Sequence, residues 1–174
     1  MRLLLSAVNC PKGDISANLG RHRMLLGHGR DQACDLVLLP EMSLTGYRPS
    51  AAISLTHPAV AELVRATVNG PALCFGLVED GAGAEPYIAQ VVATEGQVQA
   101  VYRKAHLGEG ESEHFRASSP SPPITVAGTS CAVAICAEIG AEAPYRGNAD
   151  LVLGPAAPGL YGDRRRTEED WRRG

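Results

Sequence analysis

Residues 131–140 read CAVAICAEIG, and the fold turns on how that run is taken. Cys131–Ile135 are small, apolar and β-branched side chains in unbroken succession, the pattern of a short strand buried on both faces. Cys136 falls where that strand should end, and Ala137, Glu138 and Gly140 follow within a few residues. A side chain at the carboxyl end of a buried strand can face a cleft. Two other apolar runs stop in the same manner. Leu36–Pro40 (LVLLP) leads straight into Glu41, and Val98–Tyr102 leads into Arg103 and Lys104. A thiol, a carboxylate and an ammonium group, each at the end of a strand, can meet at one place and together do nucleophilic chemistry.

Working outward, the N-terminal stretch MRLLLSAVNC imitates a signal peptide, but its apolar run is short and no small-x-small site follows, so Leu3–Val8 is expected to be a buried first strand. Asp14 is a plausible N-cap for a helix running to about Ala33, with an apolar stripe of Ile15, Leu19, Leu26 and Ala33 and with Met24 and Leu25 beside it. Glycines at 20, 27 and 29 weaken that helix by up to about 1 kcal/mol each, so packing has to hold it. Leu36–Leu39 is a second strand, closed by Pro40, and residues 45–49 are a loop. Pro58–Val68 reads as a helix with Val60, Leu63, Val64 and Thr67 on one face. Ala72–Val78 is a third strand. Tyr87–Thr94 and Gln97–Tyr102 pair as a hairpin across Glu95-Gly96. Ile124–Val126 and Cys131–Ile135 form another pair around Gly128, and Asp150–Leu153 is a last strand. The tail, Asp163–Gly174, reads as the first turns of an amphipathic helix around Trp171, its arginines offset by acids. Strands alternate with helices and then come in pairs, which favours an α/β fold with helices covering the sheet faces.

The chain has 174 residues, 45% hydrophobic and 20% charged, enough for one domain with a sizeable core. Its net charge of -3 gives no bulk attraction to nucleic acid or to an anionic membrane, and its apolar runs are too short to cross a bilayer. Five cysteines, at 10, 34, 74, 131 and 136, include no CxxC pair and form no ligand spacing with the histidines. That argues against a zinc site and for a reduced, cytoplasmic setting. Cys10, Cys34, Cys74 and Cys131 are assigned to core or strand packing.

LVLLPEMSLTGY, YRKAHL with the glutamates after it, and CAVAICAE resemble, in the same order, the three signature segments of the nitrilase superfamily, the carbon-nitrogen hydrolases. Each segment alone is common; the three together, each on a strand end, are specific. The resemblance covers nearly the whole chain, residues 1–174, as a single carbon-nitrogen hydrolase domain. It implies an αββα four-layer sandwich, often dimerised through helices near the cysteine, so a homo-oligomer is expected. It implies a catalytic triad of Glu41, Lys104 and Cys136. The family often has a second glutamate after the lysine. Glu109, Glu111 and Glu113 compete for that role, and Glu111-Ser112-Glu113-His114-Phe115 fits the family run, which selects Glu111. Two features depart from the pattern. The turn after the cysteine is only loosely matched, by Ala143-Pro144-Tyr145. The family also continues through a further helix, strands and tail, so the fold is expected to be C-terminally incomplete.

These residues can cleave a small amide, a carbamoyl amine or a nitrile. Glu41 takes the thiol proton, Cys136 attacks, and Lys104 with the backbone N–H of Ala137 stabilises the oxyanion; Glu111 positions Lys104 or the substrate. No metal or organic cofactor is needed. The alternatives are an inactive or binding-only member, and an acyltransferase in which an amine replaces water at the thioester. A Cys-His-Glu glutaminase would need a histidine after Cys136, and none follows.

Overall fold

The computed structural model of the chain describes residues 1–139 and 148–157, whose strands form two sheets. The first has the order β1 (Leu3–Leu5), β2 (Leu36–Leu38), β3 (Ala72–Glu79), β4 (Tyr87–Thr94) and β5 (Gln97–Arg103). β1, β2 and β3 are parallel, β4 runs against β3, and β5 against β4, so β5 again points the same way as β2. The second sheet is β6 (Ile124–Val126), β7 (Thr129–Val133) and β8 (Leu151–Leu153), with β6 antiparallel and β8 parallel to β7.

Alternation along the strands sorts side chains into two cores. Leu36, Leu38, Cys74, Val78, Ile88 and Val92 point from the first sheet to Val126, Cys131, Val133, Ile135 and Leu153 of the second. Val37, Leu39, Leu73, Phe75 and Leu77 point the other way, onto α1 (Ile15–Asp31) and α2 (Pro58–Arg65) through Leu26, Val60, Leu63 and Val64. Each buried Leu, Ile, Val or Phe contributes about 1.5–3 kcal/mol. β2 and β3 of the first sheet are buried on both faces for this reason, which is why they read as continuous apolar runs. The described residues therefore supply three layers, helix, sheet and sheet, of the expected sandwich. The tail helix, the Ala143-Pro144-Tyr145 turn and a fourth layer fall outside them.

Both two-residue hairpin turns are as expected. Glu95-Gly96 (φ 48° and 77°) and Ala127-Gly128 (φ 47° and 77°) each put two consecutive residues in the left-handed region that such turns demand. The first strand is a correction. It is three residues long and only half-buried: among the described residues β1 has a neighbour on one side, and Leu5 is 67% exposed. The backbone N–H and the hydroxyl of Ser6 both donate to the Leu38 carbonyl (3.1 and 2.7 Å), and the chain then leaves the ladder. α2 stops at Arg65, short of Val68, with Thr67 Oγ1 closing on the Val64 carbonyl at 2.8 Å.

α1 starts as expected, with the Asp14 carboxylate accepting the Ala17 N–H at 2.9 Å, but it ends at Asp31. Its inward face is only partly the expected apolar stripe: Leu26 is buried, and Ile15, Leu19 and Leu25 pack against the same core. Met24 is exposed, Ala33 lies beyond the helix on the surface, and Asn18, His22, Leu26 and Gly29 are the buried positions. Gly29 is required by contact: a Cβ there would lie 2.4 Å from Val37 Cγ2, so glycine lets the helix sit down on β2.

Candidate active site

Glu41 follows β2 and Pro40 at the head of a tight turn in which Met42 takes a left-handed φ of 50°. The turn is held from two sides. Toward β3, the Leu44 N–H donates to the Gly76 carbonyl (2.8 Å), the Gly76 N–H to Ser43 Oγ (3.1 Å) and the Val78 N–H to Thr45 Oγ1 (2.9 Å). Toward α1, Asn18 Nδ2 donates to the Leu44 carbonyl (3.1 Å), and Ser43 Oγ lies 3.0 Å from His22 Nε2. Gly76 is indispensable to this approach, since a Cβ there would be 2.3 Å from the Met42 backbone nitrogen. The result is a carboxylate that is 2% exposed rather than the solvated loop residue that a Pro-Glu pair usually supplies.

Lys104 is the first residue after β5, and its backbone N–H makes a last rung to the Ile88 carbonyl at 2.9 Å. Its side chain is completely buried, and Nζ donates to Glu41 Oε1 and to Glu111 Oε1, both at 2.9 Å. Among the described residues this leaves the third ammonium hydrogen for another acceptor. Of the three competing glutamates, Glu111 is fully buried, while Glu109 and Glu113 are exposed. Its other oxygen accepts the Gly108 N–H at 2.6 Å. Phe115, four residues on and 2% exposed, donates its N–H to the Glu111 carbonyl and anchors the loop in the core. Arg103 points away and makes a bidentate pair with Glu79 at 2.6 Å.

Cys136 lies past β7, but the ladder continues to it: the Ala134 N–H reaches the Leu153 carbonyl and the Cys136 N–H the Pro155 carbonyl, both at 2.9 Å. It then opens a single 3-10 turn, Cys136–Glu138, and takes a left-handed φ of 49°. That conformation costs a non-glycine residue about 1–3 kcal/mol and aims the side chain away from the strand. The thiol is half-buried and lies where the charges of Glu41 and Lys104 both act on it. Ala137 is exposed beside it, and no acceptor among the described residues takes its N–H.

Burial pushes the Glu41 carboxyl above the usual range, with Glu111 adding to the rise and Lys104 opposing it. Burial disfavours charge on Lys104, but the two carboxylates outweigh it and the ammonium titrates above its ordinary value. Burial, then the charge of Glu41, pushes the Cys136 thiol up, against the pull of Lys104 and the Ala157 backbone. The resting arrangement is thus a neutral thiol beside a carboxylate made more basic than usual, with a fixed positive charge next to both.

A cavity of about 280 Å3 opens at Glu41. Its walls are residues 6–10 after β1, Pro40–Met42 after β2, Gly46 and Tyr47, and Ala156 and Ala157 after β8. All the strands that feed it do so with their carboxyl ends. Cys10 is one of the lining residues, so its assignment to core packing is corrected, and Cys34 too is only half-buried. Cys74 and Cys131 are in the core, where burial pushes the Cys74 thiol up to about 12. Sequence reasoning missed the buried polar residues behind the site: Asn18, His22 and Ser43 under the Glu41 turn, and Glu138 after the cysteine. For Glu138 a signal existed, an acid at the third position of a turn that follows an apolar strand.

A model of the carbon-nitrogen hydrolase family matches residues 4–152. A glutamine-dependent NAD(+) synthetase from Xylella fastidiosa is 29% identical over 173 residues, which are 90% of this chain and 32% of that protein. The chain thus spans about a third of the length of the curated relatives it matches. The structure superposes with a TM-score of 0.77 on an amidase from Nesterenkonia sp. AN1 that carries the product of Michael addition of acrylamide at its active-site cysteine. The two are 27% identical, over 94% of this chain and 69% of that one. It also matches the glutamine-dependent NAD+ synthetase of Acinetobacter baumannii with a TM-score of 0.77 at 21% identity, covering 90% of this chain and 32% of that one.

Proposed function

Because the chain belongs to the carbon-nitrogen hydrolase family, we propose that it cleaves the C–N bond of a small primary amide through a thioester on Cys136. The observation that carries this reading is the buried Glu41–Lys104–Glu111 cluster, with the Cys136 thiol close enough for the charges of Glu41 and Lys104 to act on it. Glu41 takes the thiol proton as the sulfur attacks the amide carbon. Lys104 and the Ala137 N–H stabilise the oxyanion, an effect worth about 3 kcal/mol per donor. Glu41 then gives its proton to the leaving nitrogen, the C–N bond breaks and ammonia departs. Water attacks the thioester with Glu41 again as base; the acid leaves and the thiol is restored. Glu111 keeps Lys104 charged and in place.

Two sources of the amide fit this chemistry. One is a free small amide, in keeping with the Nesterenkonia amidase. The other is the side-chain amide of glutamine, in keeping with the glutamine-dependent synthetases, of which this chain covers about a quarter to a third. Ammonia release from a panel of aliphatic amides, nitriles and glutamine separates them, with mass spectrometry for an acyl group on Cys136. An adduct with ammonia release supports the reading. A panel with neither adduct nor ammonia overturns it and leaves an inactive or binding-only protein. Amide product formed on adding an amine assigns an acyltransferase instead.

A further inference from the structure

Glu138 is completely buried and has no part in the chemistry assigned above. Its Oε1 accepts the backbone N–H groups of Ala105 (2.7 Å) and His106 (2.9 Å), and its Oε2 accepts the Ile135 N–H (2.7 Å). The Tyr102 hydroxyl lies 2.9 Å from both oxygens. The positions of these donors carry the argument. Ala105 and His106 are the two residues directly after Lys104, and Ile135 is the residue directly before Cys136. Tyr102 is on β5 of the first sheet, whereas Ile135 extends β7 of the second. One carboxylate therefore ties together the backbone on either side of the sheet interface, at the two points where the lysine and the cysteine leave their strands.

A filler for this space would be apolar, because burying a carboxylate is costly unless its oxygens are satisfied. Here they are satisfied by backbone hydrogens whose places are set by the two functional loops. Each loop has run out of ladder. Lys104 makes its last rung to Ile88 and Cys136 its last to Pro155, and Cys136 is then held at a left-handed φ. We propose that Glu138 is a positioning residue that fixes the distance between the Cys136 sulfur and the Lys104 ammonium group by clamping the two loops to each other. The proposal rests on the roles given above to Cys136 and Lys104. It predicts that weakening the clamp separates the ammonium from the thiol without removing either.

The test reads Cys136 directly and needs no turnover. The full chain is alkylated with iodoacetamide from neutral to alkaline pH, and each cysteine is followed by peptide mapping in wild type, Tyr102→Phe, Glu138→Gln and Glu138→Asp. Among the described residues, the charged groups acting on the thiol are Glu41 and Lys104. With Lys104 held less closely, the rate–pH curve of Cys136 moves to higher pH, and its rate at neutral pH falls by about 10- to 10²-fold in Glu138→Gln. Tyr102→Phe gives a smaller shift in the same direction, and Glu138→Asp recovers part of the loss. The labelling of Cys10 stays as in wild type. Thermal melts by circular dichroism identify the variants that are folded; should Glu138→Gln not fold, Tyr102→Phe decides alone. Folded variants with the wild-type Cys136 curve, or a rise in labelling of all cysteines together, overturn the proposal. If wild type cleaves no amide, the proposed function fails while this comparison still stands. If it does, kcat falls with KM unchanged.

Discussion

Lys104 is bound at once to two buried carboxylates, and that alters what its removal should do. Read from the sequence, Lys104→Ala abolishes turnover and leaves the fold intact. The first half of that statement stands as a prediction; the ion pairs of Lys104 revise the second. Loss of the oxyanion-stabilising charge should lower kcat by about 10²–10³ or more. Glu41 and Glu111 would then face each other in the interior without the ammonium group between them, a defect that costs about 3–5 kcal/mol. The expected outcome is an inactive variant with a clearly lowered melting temperature; an unchanged kcat would remove Lys104 from the mechanism. Arg103→Ala should leave kcat nearly intact, since its partner is Glu79. Among the thiols, Cys136 should be alkylated first and Cys10 second, with Cys74 and Cys131 protected until the fold opens. Both of the first two lie at the site, but Cys136 is the one on which the charges of Glu41 and Lys104 act. Faster labelling of Cys34 than of Cys136 in the folded chain would count against the assignment. The positions of Glu41, Lys104 and Glu111 were legible because short motifs mark them. For Glu138 only the local turn signal was there; its bonds to backbone groups 32 and 33 residues away are announced by no side-chain pattern.

At the scale of elements, strands were easier to read than the helix that supports the site. Fully buried strands such as β2 and β3 declare themselves as apolar runs. α1 was expected to present apolar residues inward, but its inward face near the site is Asn18 and His22, because that face packs on a turn full of backbone polar groups rather than on side chains. The neutral imidazole fits this place. Nδ1–H donates to the Asn18 carbonyl at 2.7 Å, leaving Nε2 to accept from Ser43 Oγ, which itself accepts the Gly76 N–H. A second ring proton would compete with the serine hydrogen, and burial already lowers the His22 pKa to about 4. The unfolded chain binds that proton near pH 6.5 and the folded chain only near 4. The unfolded state therefore holds the extra proton in this window. The stability that neutral His22 contributes is complete above about pH 6.5 and is lost as pH falls towards 4, by about 3 kcal/mol in all. Urea unfolding of wild type against His22→Gln across that window should show the difference shrinking as pH falls. A constant difference would mean that His22 does not titrate with folding.

The whole molecule places its chemistry across a seam. Glu41, Lys104 and Glu111 belong to the first sheet and its loops, Cys136 to the second, and the shared core of the two sheets sets the distance between them. The two-sheet arrangement was implied by the family resemblance, whereas the order of strands and helices pointed only to an α/β fold with helices on its sheet faces. Which side chains remain uncovered was not readable, because exposure depends on neighbours rather than on sequence. Among the described residues, β1 and β8 are edge strands, each with a neighbour on one side only, and both carry exposed apolar side chains: Leu5 at 67% and Val152 at 36%, with Ile139 at 41% close after the cysteine. Open edges with apolar side chains are templates for pairing with another copy. The 174-residue chain should therefore self-associate in a concentration-dependent way in size-exclusion chromatography. The double variant Leu5→Lys with Val152→Lys should shift it towards monomer, because a charge on an edge strand opposes pairing without touching the core. The substitutions lie on exposed positions, so the change in stability should stay within about 0.5 kcal/mol. Since both strands lead into the site cavity with their carboxyl ends, Cys136 alkylation in the double variant should remain at the wild-type rate. A monomeric wild type would refute the edge argument. A double variant with altered Cys136 reactivity would show instead that these edges help to hold the site.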